Sequence, residues 1–379
     1  MMYSSGTTGL PKGVMITHYN MTSNILQNID FIGEDTKTRS LCVLPLFHAT
    51  GMLYEMLLHL VKGYTVYTLP SFDPQTFLSA CQMYQVTCIN MGISSTSGGV
   101  VDSPLGSRGF DLTLACWVES LLAVPPMILF LLHHPLVPNY DISSLQNVAV
   151  GAAPIDKNVL TEFTKKFPKI LIQQGYGMTE SLVTHSQADG AANHKYGSAG
   201  RVLSNTEWKV QCLETGKTLP AYHKGELYTR GPQIMKGYHN NEEETKKCLS
   251  EDGWLRSGDL GYYDEDFNIF IVDRLKELIK CKGFQVAPAE LEDLLHGHED
   301  ITDSCVIGVP DEKYGEVPYA FVVKKIGSDL TEEDVHKFVN ENVSDYKTLR
   351  GGVKFVDVLP RSPAGKLLRR VLKEEYASK

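Results

Sequence analysis

The sequence predicts an α/β protein: a large N-terminal domain of α/β layers with a β-rich subdomain, then a small α+β C-terminal unit. Three observations carry this. Apolar strand-like runs alternate with amphipathic helical runs through the first half of the chain. From about residue 198 to 272 the texture changes to short strands and Gly-rich turns. After Asp273 a separate helix-and-strand alternation resumes. The 379 residues suit two or three domains at about 150 residues each.

Each element has a local reason. Residues 17–31 predict a helix, because Met21, Ile25 and Ile29 share one face. Residues 40–44 and 64–69 are short apolar runs and predict strands. Residues 112–132 are apolar enough to suggest a membrane span, but Glu119 and Pro125-Pro126 interrupt them, so a buried segment is expected and no transmembrane span. Residues 146–150 predict a strand entering the turn Gly151-Ala152-Ala153-Pro154, with a helix at about 155–167 behind it. Residues 170–173 predict a strand ending at Gly175. The β-rich part follows at 207–213, 225–231 and 261–273. The last unit has a helix near 288–296, strands at 304–309, 319–324 and 353–360, and a helix opening at Thr331 with Glu333 and Asp334 behind it.

Composition excludes several functions. Lys and Arg total 36 against 45 Asp and Glu, a net charge of −9. A nucleic-acid partner held by a basic face is therefore not expected. The eight cysteines are scattered without a CxxC pair, which suggests neither a zinc site nor a disulfide framework and favours a reducing compartment. The first residues lack the basic and apolar regions of a signal peptide. The ending Tyr376-Ala377-Ser378-Lys379 stops one Leu short of a peroxisomal address, so a cytoplasmic setting is the default expectation.

The run Tyr3-Ser4-Ser5-Gly6-Thr7-Thr8-Gly9-Leu10-Pro11-Lys12-Gly13 is the first candidate for chemistry. Small residues let backbone N–H groups form a concavity, hydroxyls add donors, and Lys12 adds charge, which together suit phosphate oxygens. No G-K-[ST] follows at Walker A spacing. By composition alone such a run is also what a flexible turn looks like.

These residues resemble the phosphate loop of adenylate-forming enzymes, the superfamily of acyl-CoA synthetases, 4-coumarate–CoA ligases and luciferases. The resemblance recurs in order at Pro45-Leu46-Phe47-His48, Gly151-Ala152-Ala153-Pro154 and Gln174-Gly175-Tyr176-Gly177-Met178-Thr179-Glu180. It continues at Gly225-Glu226-Leu227 with Arg230-Gly231-Pro232, Gly253-Trp254 with Ser257-Gly258-Asp259, Asp273 to Lys280 with Lys282-Gly283-Phe284-Gln285, and Pro363-Ala364-Gly365-Lys366. The spelling is nearest to 4-coumarate–CoA ligase-like enzymes.

The resemblance implies a role for each position. Ser4, Ser5, Gly6, Thr7, Thr8 and Lys12 would hold phosphates. Gly151, Ala152, Ala153, Gln174, Gly175, Gly177 and Met178 would line the nucleotide and acyl site. Tyr176 would stack on adenine, Thr179 would bond a phosphate oxygen, and Glu180 would ligate Mg²⁺. Asp259 would accept both ribose hydroxyls, with Arg274 on the other side. Each has a plainer reading when taken alone: a turn Asp, a surface Arg, a packed Tyr, an exposed acid. His48 would line the acyl pocket, and Lys366, in a mobile Pro/Gly loop, would meet the charge of the adenylation transition state. Lys276 is the hinge position, Lys280 approaches AMP, Lys282 and Gly283 face coenzyme A, and Gln285 lies near the nucleotide.

The implied activity is ATP-dependent ligation of a carboxylic acid, aromatic or aliphatic, to coenzyme A through an acyl-adenylate. The alternatives are a luciferase-like or carrier-loading adenylating enzyme, and an inactive truncated nucleotide-binding fragment. The implied domains are 1–272, a hinge at 273–276, and a lid at 277–379. Two departures from the family stand out. Family members carry a substantial portion before the phosphate loop, so an N-terminal truncation is expected. Residues of about 91–123 interrupt a connection that should be short, and are expected to be an atypical insert arising from translated intron or a gene-model error.

Overall fold

The computed structural model describes residues 1–4, 12–29, 39–42, 46–49, 51–69, 72–84, 88–90, 120–123, 125–145, 147–150, 157–187, 195, 197–361 and 367–377. It shows an α/β large N-terminal domain with mixed sheets and a smaller C-terminal α+β domain.

The chain opens with β1 (Met2–Ser4) antiparallel to β2 (Lys12–Met15), with Ser4 opposite Lys12. The two ends of the expected phosphate loop therefore lie side by side. Helix α1 (His18–Asn28) starts on a reciprocal cap: Thr17 Oγ1 accepts the Asn20 N–H at 3.1 Å, and the Thr17 N–H donates to Asn20 Oδ1 at 2.9 Å. The Asn20 amide then donates to the Pro232 and Ile234 carbonyls at 2.7 and 2.8 Å, tying α1 to chain far downstream.

An eight-stranded sheet forms the body. It contains β3 (Arg39–Cys42), β4 (Thr65–Thr68), β5 (Cys88–Asn90), β6 (Ser120–Ala123), β7 (Asn147–Val150), β8 (Leu171–Met178), β9 (Leu182–Ser186) and β10 (Arg201–Val202). Their order is β10-β9-β8-β7-β6-β5-β3-β4. The strands from β3 to β8 run parallel, and β9 and β10 are antiparallel additions. Between β3 and β4 lie a wide π-helical segment (Gly51–Leu58) and α2 (His59–Lys62), which ends at Gly63 in the left-handed region at φ 74°. Helices α3 (Pro74–Met83), α4 (Pro125–His133) and α5 (Lys157–Lys166) supply the crossovers. Phe77, Met127, Ile128, Leu160 and Phe163 pack with Leu41 and Val148 of the sheet into one core. Burying each such side chain contributes roughly 1.5–3 kcal/mol. Among the described residues no helix is long and apolar enough to cross a membrane.

Two details differ from the sequence reading. Strand β8 does not end at Gly175. It pairs in parallel with β7 up to Gln174, then continues to Met178 in antiparallel pairing with β9. Gly177 permits this, because a Cβ there would lie 2.1 Å from the Leu182 carbonyl oxygen. Ser120–Ala123, at the end of the expected insert, form β6 inside the sheet, while 91–119 lie outside the described residues.

The β-rich part is an antiparallel sheet of β11 (Glu207–Gln211), β12 (Gly225–Arg230), β14 (Leu255–Tyr263) and β15 (Ile269–Arg274), in that order. Short β13 (Gly237–Tyr238) leaves it to pair with β2, Tyr238 opposite Val14, and α6 (Glu242–Cys248) follows. An aromatic row joins this sheet to the main one: Tyr176 to His185 at 5.9 Å between ring centroids, His185 to Trp208 at 5.6 Å, and Trp208 to Tyr263 at 4.9 Å. Thr184 Oγ1 donates to the Tyr176 carbonyl at 3.3 Å and lies 3.0 Å from His185 Nδ1. Among the described residues the buried Nε2 has no hydrogen-bond partner.

The last unit has β16 (Ile279–Cys281), β17 (Phe284–Val286), β18 (Ile301–Asp311), β19 (Gly315–Lys324) and β20 (Gly352–Phe355), with β20 parallel to β19. Helices α7 (Pro288–His296), α8 (Glu332–Asn342) and α9 (Arg369–Ala377) cover it, and α8 starts on the Thr331–Asp334 box. Leu291, Val306, Phe321, Val335 and Leu372 are the centre of its core. Arg369 reaches from α9 into that core and forms a fork with Glu292 of α7, Nη2 to Oε2 at 2.9 Å.

Arg369→Ala strands the Glu292 charge, so urea unfolding of the last unit should lose about 3–5 kcal/mol. The Glu292→Leu, Arg369→Met pair should recover most of it. Burial pushes the His185 imidazole down to about 3 from an ordinary 6.5, so the unfolded chain takes up the extra proton. Its contribution to stability is complete above pH 6.5 and is lost as pH falls toward 3. Between pH 7 and pH 5, His185→Phe should therefore lose less stability than wild type; equal losses would contradict a neutral buried ring.

Candidate nucleotide-binding site

Asp259 sits near the middle of β14, directly opposite Arg274 at the end of β15. Its side chain is 4% exposed. Such a carboxylate needs partners. The Tyr176 hydroxyl, arriving from β8, donates to Oδ2 at 2.6 Å. Arg274 Nε stands 3.3 Å from Oδ1, but off the line of a hydrogen bond, so Oδ1 makes none among the described residues. The Asp259 N–H donates to Ser257 Oγ at 3.0 Å, which fixes the turn. The result is a buried, charge-balanced carboxylate with acceptor capacity to spare. A sugar hydroxyl is a donor that fits it.

Electrostatics bind the cluster together. Burial first, and the Asp259 charge second, push the Tyr176 hydroxyl well up, so it stays a donor. Burial acts to lower the Arg274 guanidinium, but the charges of Asp259, Tyr176, Glu180 and Glu277 outweigh it and leave it raised. Lys276 is pushed down, by burial first and by Arg274 second. Asp273, raised mainly by burial, accepts the Arg274 N–H on Oδ1 at 2.7 Å and the Ala289 N–H on Oδ2 at 3.0 Å. The residue before Arg274 thus caps the first turn of α7.

The turn after β8 carries Thr179, half-buried, and Glu180, buried. The Tyr238 hydroxyl donates to Glu180 Oε1 at 2.9 Å, and the Met235 N–H donates to the Glu180 carbonyl at 2.8 Å. Among the described residues Glu180 makes no other side-chain hydrogen bond. The Lys12 ammonium lies 4.9 Å over the Tyr238 ring and pairs with Glu244. No three His, Cys, Asp or Glu side chains form a metal cage among the described residues. One carboxylate on Glu180 still suits Mg²⁺, which takes its other ligands from phosphates and water.

Of the expected site residues, Tyr176, Glu180, Asp259, Arg274 and Lys276 act on one another, and Lys12 joins through Tyr238. Gln174 braces the site from behind, its Oε1 accepting the Gly197 N–H at 3.0 Å. Gly175, Gly177 and Met178 form the β8–β9 pairing beside Tyr176. Ser4 is buried opposite Lys12. His48 is half-buried at the entry of the π-helical segment, its carbonyl accepting the Met52 N–H at 2.9 Å. The structure does not bring Lys280, Lys282, Gly283 and Gln285 to Asp259. They lie on and between β16 and β17, where the Lys280 N–H donates to Glu316 at 2.9 Å and Lys282 pairs with Asp345 at 2.8 Å. Ser5, Gly6, Thr7, Thr8, Gly151, Ala152, Ala153 and Lys366 lie outside the described residues. Sequence reasoning missed Tyr238, Glu244 and His185. Tyr238 and Glu244 enter through the β2–β13 pairing, and His185 through its packing on Trp208, neither of which a local pattern announces.

The AMP-binding enzyme family model matches residues 1–92 and 111–239, leaving 93–110 unmatched, and the model of the AMP-binding enzyme C-terminal domain matches 290–366. The chain is 41% identical to 4-coumarate–CoA ligase 2 of Nicotiana tabacum over 99% of its own length, and spans 65% of that relative. Identity to 4-coumarate–CoA ligase 2 of Petroselinum crispum is also 41%, with 99% and 64% covered. Among solved structures it is similar to ATP-bound MatB of Rhodopseudomonas palustris (29% identity, TM-score 0.82, 99% of this chain and 67% of that one). It is also similar to the o-succinylbenzoate CoA synthetase of Bacillus subtilis in complex with its acyl-adenylate intermediate (29%, TM-score 0.78, 98% and 68%). An amide bond synthetase of Marinactinospora thermotolerans has the same fold (28%, TM-score 0.79, 97% and 68%). With more than half of its residues inside one family model and a buried site at that family's motifs, the chain belongs to the AMP-binding enzyme family.

Proposed function

We propose that the chain is an ATP-dependent acid–thiol ligase that activates a carboxylic acid as its adenylate and passes the acyl group to coenzyme A. The observation that carries this is the buried Asp259 carboxylate, held by Tyr176 and Arg274 yet keeping one oxygen without a hydrogen bond. It is suited to a ribose, and Glu180 and Lys12, linked through Tyr238, would take the phosphates.

In the first step the substrate carboxylate oxygen attacks the α-phosphorus of ATP, and the bond to pyrophosphate breaks. The difficulty is anion meeting polyanion, which Lys12, Arg274 and Lys366 oppose. Mg²⁺ bound at Glu180 would neutralise phosphate charge. In the second step the thiol sulfur of coenzyme A attacks the acyl carbon, its proton departs, and the bond to AMP breaks. Lys282, Gly283 and Gln285 stand away from Asp259, which supports a lid that changes its face between steps about a hinge at 273–276. Ser5, Gly6, Thr7, Thr8, Gly151, Ala152 and Ala153 complete the nucleotide site, and His48 the acyl pocket. Similarity to 4-coumarate–CoA ligases supports an aromatic, phenylpropanoid-like acid over a fatty acid. A second reading keeps the first step and changes the acceptor; similarity to an amide bond synthetase supports it.

Mass spectrometry of products from ATP, coenzyme A and a panel of acids separates these readings: an acyl-CoA supports the first, and an adenylate without thioester the second. Pyrophosphate exchange into ATP should require a carboxylic acid and should fall at least about 100-fold in Asp259→Ala, whose buried partners are left unpaired. Exchange without an acid would sink the ligase reading. Lys366→Ala should slow adenylate formation far more than thioester formation from supplied adenylate; equal loss in both steps would remove Lys366 from its assigned place.

A further inference from the structure

Lys12 already has an anion. Its ammonium is paired with the Glu244 carboxylate and rests 4.9 Å over the Tyr238 ring. Neither contact is a chance of two long side chains. Tyr238 is held opposite Val14 by the β2–β13 pairing. Glu244 is placed by the start of α6, where Asn241 Oδ1 accepts its N–H at 3.2 Å, and Lys247 steadies its carboxylate at 2.7 Å. The hydrogen bond from Lys12, then that from Lys247, hold the Glu244 carboxyl down at about 2, so it is an anion at every working pH. Both side chains of the pair are about one third exposed, 33% and 30%. The carboxylate is thus partly open to solvent, and Lys12 and the Tyr238 ring link it to Glu180.

Resting on the nucleotide reading above, we propose that Glu244 is a positioning residue that stands in for phosphate: it holds Lys12 while the site lacks a polyphosphate and must give it up when ATP binds. Lys12 then changes partner without ever crossing an uncompensated state. The exchange taxes ATP, whose outer phosphates compete with the carboxylate, and spares AMP, which lacks those outer phosphates. It also returns Lys12 to a waiting partner when pyrophosphate leaves, which lowers the hold on that product.

The test is calorimetric titration of the full chain with ATP and, separately, AMP, in wild type, Glu244→Gln, Glu244→Ala and the Lys12→Gln, Glu244→Gln pair. Glu244→Gln and Glu244→Ala should bind ATP about three-fold more tightly, the scale of a partly exposed ion pair, and AMP unchanged. The gain should shrink in 300 mM salt and vanish in the variant that also lacks the Lys12 ammonium. Unchanged or weaker ATP binding, or AMP affinity that moves with ATP, overturns the stand-in. If wild type binds neither nucleotide, the nucleotide reading falls and this proposal falls with it. If wild type binds both and the variants match it, the stand-in alone is lost.

Discussion

The site depends on keeping one carboxylate, Asp259, charged and buried at once. Desolvating such a group costs several kcal/mol unless opposite charge and donors stand against it. Arg274 supplies the charge from the adjacent strand, and Tyr176 supplies the donor from another sheet. The two sheets must therefore pack in one register, or Asp259 is left without its phenol donor. The aromatic row from Tyr176 through His185 and Trp208 to Tyr263 is the apolar seam that holds that register. Packing and electrostatics here are one requirement, since a slip in the seam would move the phenol from the acid.

Charge then spreads along the wall in alternating sign: Asp259, Arg274, Glu180, Lys12, Glu244. Each group is answered by a neighbour contributed by a different stretch of chain. These charges are balanced by the protein's own side chains. Under the proposed function, phosphates would replace one anion by another and leave the wall's electrostatics nearly unchanged.

Much of this was legible in the sequence. Parallel strands came from short apolar runs, and helices from their periodic faces; α7 begins and ends where the pattern places it. Tyr176, Glu180, Asp259 and Arg274 were legible because their motifs are local. The path of β8 was not, because its change of partner at Gln174 follows from the approach of Leu182 to a residue without a side chain. Tyr238 and Glu244 were also illegible. Their connection to Lys12 exists through a pairing between strands that are far apart in sequence. The placing of Lys282 by Asp345 is likewise a tertiary choice that no spacing announces.

That small three-stranded sheet, β1 with β2 and β13, carries a consequence for biogenesis. Strand β2 leaves the ribosome more than two hundred residues before its second neighbour. Until then β2 has a bare edge, and its lysine has neither ring nor carboxylate. The nascent chain must therefore carry an exposed strand margin while the intervening residues are made, a natural point of engagement for chaperones.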